Sequence, residues 1–202
     1  MNERILAKEE DHIREVLASK RFLNMEGLGN EVPFFIWAYP PSWEIEAEQA
    51  AIRLRTSLTT GQGLTVLDVD LFDLSISLLE KRGVLDQLVE LEPKRTRAQF
   101  RKDLQRMLDP ERHIVPAIKE QLDVHAPYDI LFLTGIGKVF PFIRSHNVLN
   151  TLQSVASDRP MLMFFPGEYR QSQTLGSALV LFGKLPDDQY YRAKNVLEQE
   201  PA

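Results

Sequence analysis

The sequence predicts an α/β domain, a three-layer sandwich whose mostly parallel sheet of about five strands is flanked by helices. Three observations carry this reading. Two continuous apolar runs, 130–133 (ILFL) and 161–165 (MLMFF), have the composition of strands buried on both faces. Between them Val148, Leu149, Leu152, Val155 and Ala156 follow the i, i+1, i+4, i+7, i+8 pattern of a helix. That is the crossover a parallel strand pair requires. A second unit of the same kind spans 34–70, where an aromatic run and the run LTVLDVD enclose a segment with alanines at helical spacing.

Each element follows from local pattern. Residues 3–20 read as a helix with Ile5, Leu6, Ile13, Val16 and Leu17 on one stripe. The stripe is interrupted in its middle, which fits either packing at the domain edge or docking on a partner. A loop with Gly27 and Gly29 covers 24–30. The aromatic run 34–39 (FFIWAY) is a strand, stopped by Pro40-Pro41. Ser42 is placed to cap the next helix, whose first turn carries Glu44 and Glu46 at the positive end of the dipole. Ala47, Ala50, Ala51, Leu54 and Leu58 form its apolar face, and Gly61 and Gly63 close it. Strand 64–70 follows. Asp70, with Asp73 three residues on, has the arrangement of a cap for helix 71–82, lined by Leu71, Leu74, Leu78 and Leu79 and closed by Gly83. A short helical stretch covers 84–91. Residues 94–123 are helical, with a restart at Asp109-Pro110. Phe100, Leu104, Met107 and Leu108 share a face, and Ile114, Ile118 and Leu122 point inward. Strand 129–134 then leads through a glycine turn to helix 148–156, which Asn147 or Ser145 can cap. Strand 161–165 ends at Pro166-Gly167. A last strand, 178–182, follows after a connection short enough to suit an antiparallel pairing, and a terminal helix covers 189–198. The whole of 1–202 reads as one domain, with 3–20 as its candidate docking element.

Composition excludes several classes. With 202 residues, 44% of them hydrophobic and 26% charged, the chain supports one substantial core. A net charge of −5 gives no global electrostatic case for nucleic acid. The absence of cysteine removes disulfides, thiolate metal sites and cysteine nucleophiles, and suits a reducing compartment. The N-terminus is rich in acids without an apolar core of its own, and no apolar run reaches membrane-span length. A cytoplasmic location without membrane contact is expected.

The turn Thr134-Gly135-Ile136-Gly137-Lys138 invites comparison with phosphate-binding loops. A P-loop needs a hydroxyl directly after its lysine and a glycine six residues before that lysine. Val139 and Phe132 stand at those places. The dinucleotide pattern fails as well, because its third glycine falls at Phe140. The fold expected is therefore Rossmann-like without a P-loop. Gly135 and Gly137 are read as structural, supplying positive φ or close backbone approach, and Gly167 as a turn glycine. Asp68 and Asp70, two apart, share one face of their strand. They are either a pair of carboxylates able to hold a metal ion, or a helix cap (Asp70) and a partner of backbone or arginine (Asp68). Ser145 and His146 are neighbours in sequence, which does not make a catalytic pair, and the four histidines lack metal-ligand spacing. Segment 94–106 holds six Lys or Arg and one acid. Its single aromatic, Phe100, is expected to face inward, so a solvated face or a surface for an acidic partner is favoured over nucleic-acid contact. Trp43, Tyr169 and Arg170 lie beside turns and are of the types that dominate interface hot spots. They are the candidate partner-binding residues, and no catalytic, cofactor or metal residue is assigned.

The phrases FLTGIGKVFPFIRSHNVLNTLQ, MFFPGEY, LVLFGKL and YYRA resemble the BrxB family of bacteriophage-exclusion (BREX) defence systems. The similarity covers most of the chain and is densest over 128–193. It implies a cytoplasmic, non-enzymatic assembly or adaptor subunit that needs no cofactor. The implied companions are an alkaline-phosphatase-like protein (PglZ/BrxZ), an ATPase and a DNA methyltransferase, without specific DNA binding by the chain alone. The residues leave open a second class, a nucleotide- or metal-dependent enzyme built on 134–138 and Asp68/Asp70. A third reading is weak nucleic-acid contact through 94–106.

Overall fold

Aromatic and β-branched runs that alternate with helical spacing produce alternating strands and helices. The computed structural model describes residues 2–27, 32–172, 176–186 and 193–201. Its elements are α1 (Asn2–Ala18), α2 (Lys20–Leu23), β1 (Phe34–Tyr39), α3 (Glu44–Gln62), β2 (Val66–Asp70), α4 (Leu71–Lys81), α5 (Leu85–Leu91), α6 (Arg97–Met107), α7 (Val115–Val124), β3 (Ile130–Thr134), α8 (Ser145–Leu152), β4 (Met161–Ser172), β5 (Gly176–Leu181), β6 (Leu185–Pro186) and β7 (Lys194–Asn195). The principal sheet has the order β2-β3-β4-β1-β7, and every neighbouring pair in it is parallel.

Successive strand residues point to opposite faces, and this divides the interior into two cores. Phe34 and Ile36 of β1, Leu131 and Leu133 of β3, and Met161, Met163 and Phe165 of β4 face α4 to α8. Phe35, Trp37 and Tyr39, Ile130 and Phe132, and Leu162 and Phe164 face α1 to α3. The alanine face of α3, with Ala47, Ala50 and Ala51 all buried, lets that helix lie close to the sheet. The connection from β1 to β2 runs over one face in one direction. Those from β2 to β3 and β3 to β4 run over the other face in the opposite direction. A constant crossover hand demands this. The α/β sandwich read from the sequence is thus observed. Among the described residues no helix is long and apolar enough to cross a membrane.

Several local expectations are corrected. Strand β4 does not end at Pro166-Gly167 but runs on to Ser172. Pro166 is tolerated because its missing N–H falls where the pairing with β1 ends, opposite Tyr39. Its carbonyl accepts from the Phe182 N–H at 2.9 Å. Beyond it β4 pairs with β5, antiparallel as the short connection suggested. Gly167 therefore sits inside a strand rather than in a turn. There its missing side chain is required, since a Cβ would meet the Val180 carbonyl oxygen and the Phe165 ring. Ser42 does not cap α3. The chain enters that helix through a 3-10 turn, Pro41–Trp43, without a side-chain cap. Helix α8 starts at Ser145 after Arg144, so neither Asn147 nor Ser145 is its cap. The restart expected at Asp109-Pro110 is observed, with Asp109 accepting from the Arg112 N–H, but the helix before it begins only at Arg97, behind a capping box made by Thr96 and Gln99. Residues 189–192 of the expected terminal helix and 28–30 of the expected loop lie outside the described residues. The described remainder of that helix is β7 and a 3-10 turn, Val196–Glu198.

Candidate functional site

In open α/β sheets ligands bind beyond the carboxyl ends of the strands, where connections leave toward opposite faces. Here β1 exits to the face of α3, and β2 and β3 exit to the other. The residues gathered at this edge come from the ends of β1, β2, β3 and the start of α3. Asp70 caps α4, its Oδ1 accepting from the Phe72 N–H at 2.8 Å and the Asp73 N–H at 3.1 Å. Gly135 has φ +73°, and a Cβ there would run into the Asp70 carboxylate. Lys138 Nζ lies 2.6 Å from Glu48 Oε1 and 3.5 Å from Asp70 Oδ2. The Tyr39 hydroxyl donates to Glu44 Oε2 at 3.1 Å. Asp68 accepts from Arg55 Nη1 at 3.3 Å and from the Thr134 hydroxyl at 3.2 Å.

The electrostatics follow from that packing. Burial pushes the Glu44 carboxyl above its ordinary value, and the charges of Glu48 and Asp70 add to this against the Tyr39 hydrogen bond and Lys138. Burial, then the neighbouring Glu44, drives the Tyr39 phenol upward. Burial works against the Lys138 charge, but Glu48 and Asp70 outweigh it and hold the ammonium above its usual value. Asp68 is raised by burial, which Arg55 and Thr134 only partly offset. The edge is thus a set of carboxylates with Lys138 and Arg55 already engaged. Carboxylates at this edge disfavour an added anion, and both glycines of the turn 134–138 are closely approached by neighbouring side chains. Gly135 is filled by Asp70, while a Cβ on Gly137 would be 2.9 Å from Pro166 Cγ and 3.3 Å from the Phe182 ring. Close packing, not positive φ, is what requires glycine at 137. Among the described residues no three His, Asp or Glu side chains converge as metal ligands.

Asp68 holds its proton more tightly folded than unfolded, so protonation favours the native state. That contribution is complete below the ordinary carboxylate range and is lost as pH rises through the raised folded value. Asp68→Asn should therefore gain on the wild type as pH climbs from about 4 to about 7. In thermal melts, the difference in Tm, variant minus wild type, becomes more positive. A difference that stays flat across this window would show that Asp68 does not titrate as a buried group.

The other sequence candidates are dispersed. Trp43, expected at the surface, is 8% exposed and packs in the α1 to α3 core. Trp37 and Tyr39 are buried there too. Tyr169 lies within β4, half-buried, its hydroxyl donating to the Ala193 carbonyl at 3.0 Å. Arg170 is exposed and donates twice to Glu168, from Nε at 2.9 Å and Nη2 at 2.7 Å. Phe100 of the basic segment packs on the core as expected. Sequence reasoning missed the grouping of Tyr39, Glu44, Glu48 and Lys138. Its one local signal is that Glu44 and Glu48 are four apart and so share a helix face. The link to Lys138 spans 90 positions and leaves no local trace.

This geometry defines a class first: an α/β sandwich whose usual ligand edge is occupied by its own paired side chains. The family model described as "BREX protein BrxB" matches residues 67–196. A "BREX protein BrxB" of Bacillus cereus (strain H3081.97) is 35% identical over 98% of this chain and 98% of its own length. A second, from Escherichia coli O9:H4 (strain HS), is 31% identical over 78% of this chain and 76% of its own. The chain belongs to the BrxB family. No solved structure matches it.

Proposed function

We propose that the protein is a non-enzymatic assembly or adaptor subunit of a BREX phage-defence system, binding other BREX proteins and foremost the alkaline-phosphatase-like one. Membership of the BrxB family supports the place in defence. The observation that carries the adaptor reading is the closed carboxyl edge of the sheet. Lys138 and Arg55, the cations there, are held by Glu48, Asp70 and Asp68. A nucleophile with a positioned base is missing from the described part of this edge, so the contribution left to the chain is its surface.

Of the partner-contact residues read from the sequence, Arg170 on the β4/β5 hairpin is exposed, its guanidinium paired with the also exposed Glu168, while Tyr169 is half-buried against the Ala193 carbonyl and Trp43 is committed to the core. The test is co-expression of the tagged full chain with each BREX component in turn, followed by size-exclusion chromatography. A stable complex with the phosphatase-like protein is expected. Arg170→Ala should weaken it by about 2 kcal/mol, roughly 30-fold, if the hairpin is a hot spot. Retention of none of the components would end the adaptor reading. An unchanged affinity in Arg170→Ala would remove only the hairpin.

A further inference from the structure

Outside the sheet edge, the strongest surface feature is a groove of about 550 Å³ between α6 and the segment that follows β3. Phe100, Pro141 and Phe142 supply its apolar lining, Arg97 and Arg101 its basic rim, and Glu92 lies at one end. Phe100 and Phe142 are half-buried against the core beneath, so the floor is fixed rather than loose. The Gln105 side-chain amide donates to the Pro141 carbonyl at 2.9 Å and pins one wall to the helix. Arg97 and Arg101 are four apart and stand on one face of α6.

The charge here is not internally neutralised. Asp103 is the only acid in 94–106, and its contacts are with Arg95 at 3.9 Å and Arg106 at 3.4 Å. Arg97 and Arg101 are exposed, and among the described residues neither has a carboxylate within ion-pair distance. The same holds for Lys94 and Lys102. Two arginines without an acidic partner among the described residues, on the rim of one apolar groove, stand out in a chain of net charge −5. We infer that this groove docks a segment of a partner protein in which an apolar side chain is flanked by Asp or Glu. The inference rests on the adaptor reading and assigns it a second surface, on an element other than the hairpin of Arg170. Apolar floor and basic rim together fit such a segment: the anchor is desolvated on Phe100, Pro141 and Phe142 while its carboxylates meet guanidinium groups in bidentate geometry. A nucleic acid would use the rim alone. It would also meet the negative field of the rest of the chain.

The experiment uses the full chain and the purified phosphatase-like BREX protein. The double variant Arg97→Glu/Arg101→Glu should lower affinity by at least about 30-fold, while Arg97→Lys/Arg101→Lys, which keeps the charge but loses the bidentate fork, should lower it by less. Melting temperatures of both variants are checked against the wild type. A photocrosslinking amino acid in place of Ala98 should label a partner segment containing Asp or Glu beside an apolar residue. Wild-type affinity in the Glu double variant, or a crosslink to a segment without acids, overturns the inference and leaves the adaptor reading standing. So does a double variant that loses only its mobility shift with a 30-base-pair duplex, a length of about three helical turns. Failure of the wild-type protein to bind any BREX component overturns both.

Discussion

Trp37→Ala should destabilise the protein by about 3–5 kcal/mol, the usual range for removing a fully buried tryptophan. Trp37 is 0% exposed. Its ring lies 5.3 Å from that of Tyr39 and 5.5 Å from that of Phe164, the latter edge-on. Edge-to-face pairs add to the energy of burial. The indole N–H donates to Glu9 Oε2 at 2.9 Å. That bond ties α1 to the centre of the sheet, so the substitution also leaves a half-buried carboxylate without its donor. A loss of this size is a large share of a typical stability of about 5–15 kcal/mol. Urea denaturation followed by circular dichroism measures it. Trp37→Phe separates the two contributions, since it keeps most of the apolar volume and removes the donor. A cost below about 1.5 kcal/mol for Trp37→Ala, less than any usual value for such a truncation, would mean that α1 is not held through this residue.

Gly135→Val should cost about 2–4 kcal/mol, and for two reasons that reinforce each other. The left-handed backbone at φ +73° strains any β-branched residue by about 1–3 kcal/mol. The new side chain also displaces the Asp70 carboxylate from the N-terminus of α4, and losing such a cap costs about 0.5–2 kcal/mol. The shared contact makes the prediction specific. In an Asp70→Ala background Gly135→Val should cost less than in the wild type, because the cap is already gone. Thermal melts of the four proteins in this cycle give the coupling. Strict additivity would show that the turn and the cap are independent.

Much of the fold was legible because its causes are local. The limits of β1 at 34–39 follow from an aromatic run stopped by Pro40-Pro41, and the structure places the strand there. The Asp70 cap was readable from one side chain and the backbone two and three residues on. The alanine face of α3 needed only the helical period. The misreadings share a different origin. Pro166-Gly167 has the chemistry of a turn. It becomes strand because β5 supplies a second edge and β1 stops where the proline has no N–H to give. Trp43 follows Pro40-Pro41 in a turn, where exposure was expected, yet it is buried in the core shared by α1, α3 and the sheet.

The sequence by itself determined the alternation of strands and helices, which of their faces turn inward, and, through the resemblance, the family. Those depend on residue periods and on phrases of a few residues. Tertiary structure alone decided that β1 lies between β4 and β7, that Lys138 meets Glu48 across 90 positions, and that Phe100 and Phe142 share one groove beneath Arg97 and Arg101. Strand order and side-chain partnership are set by how helices cover both faces of the sheet at once. No window of sequence contains both partners of such a contact.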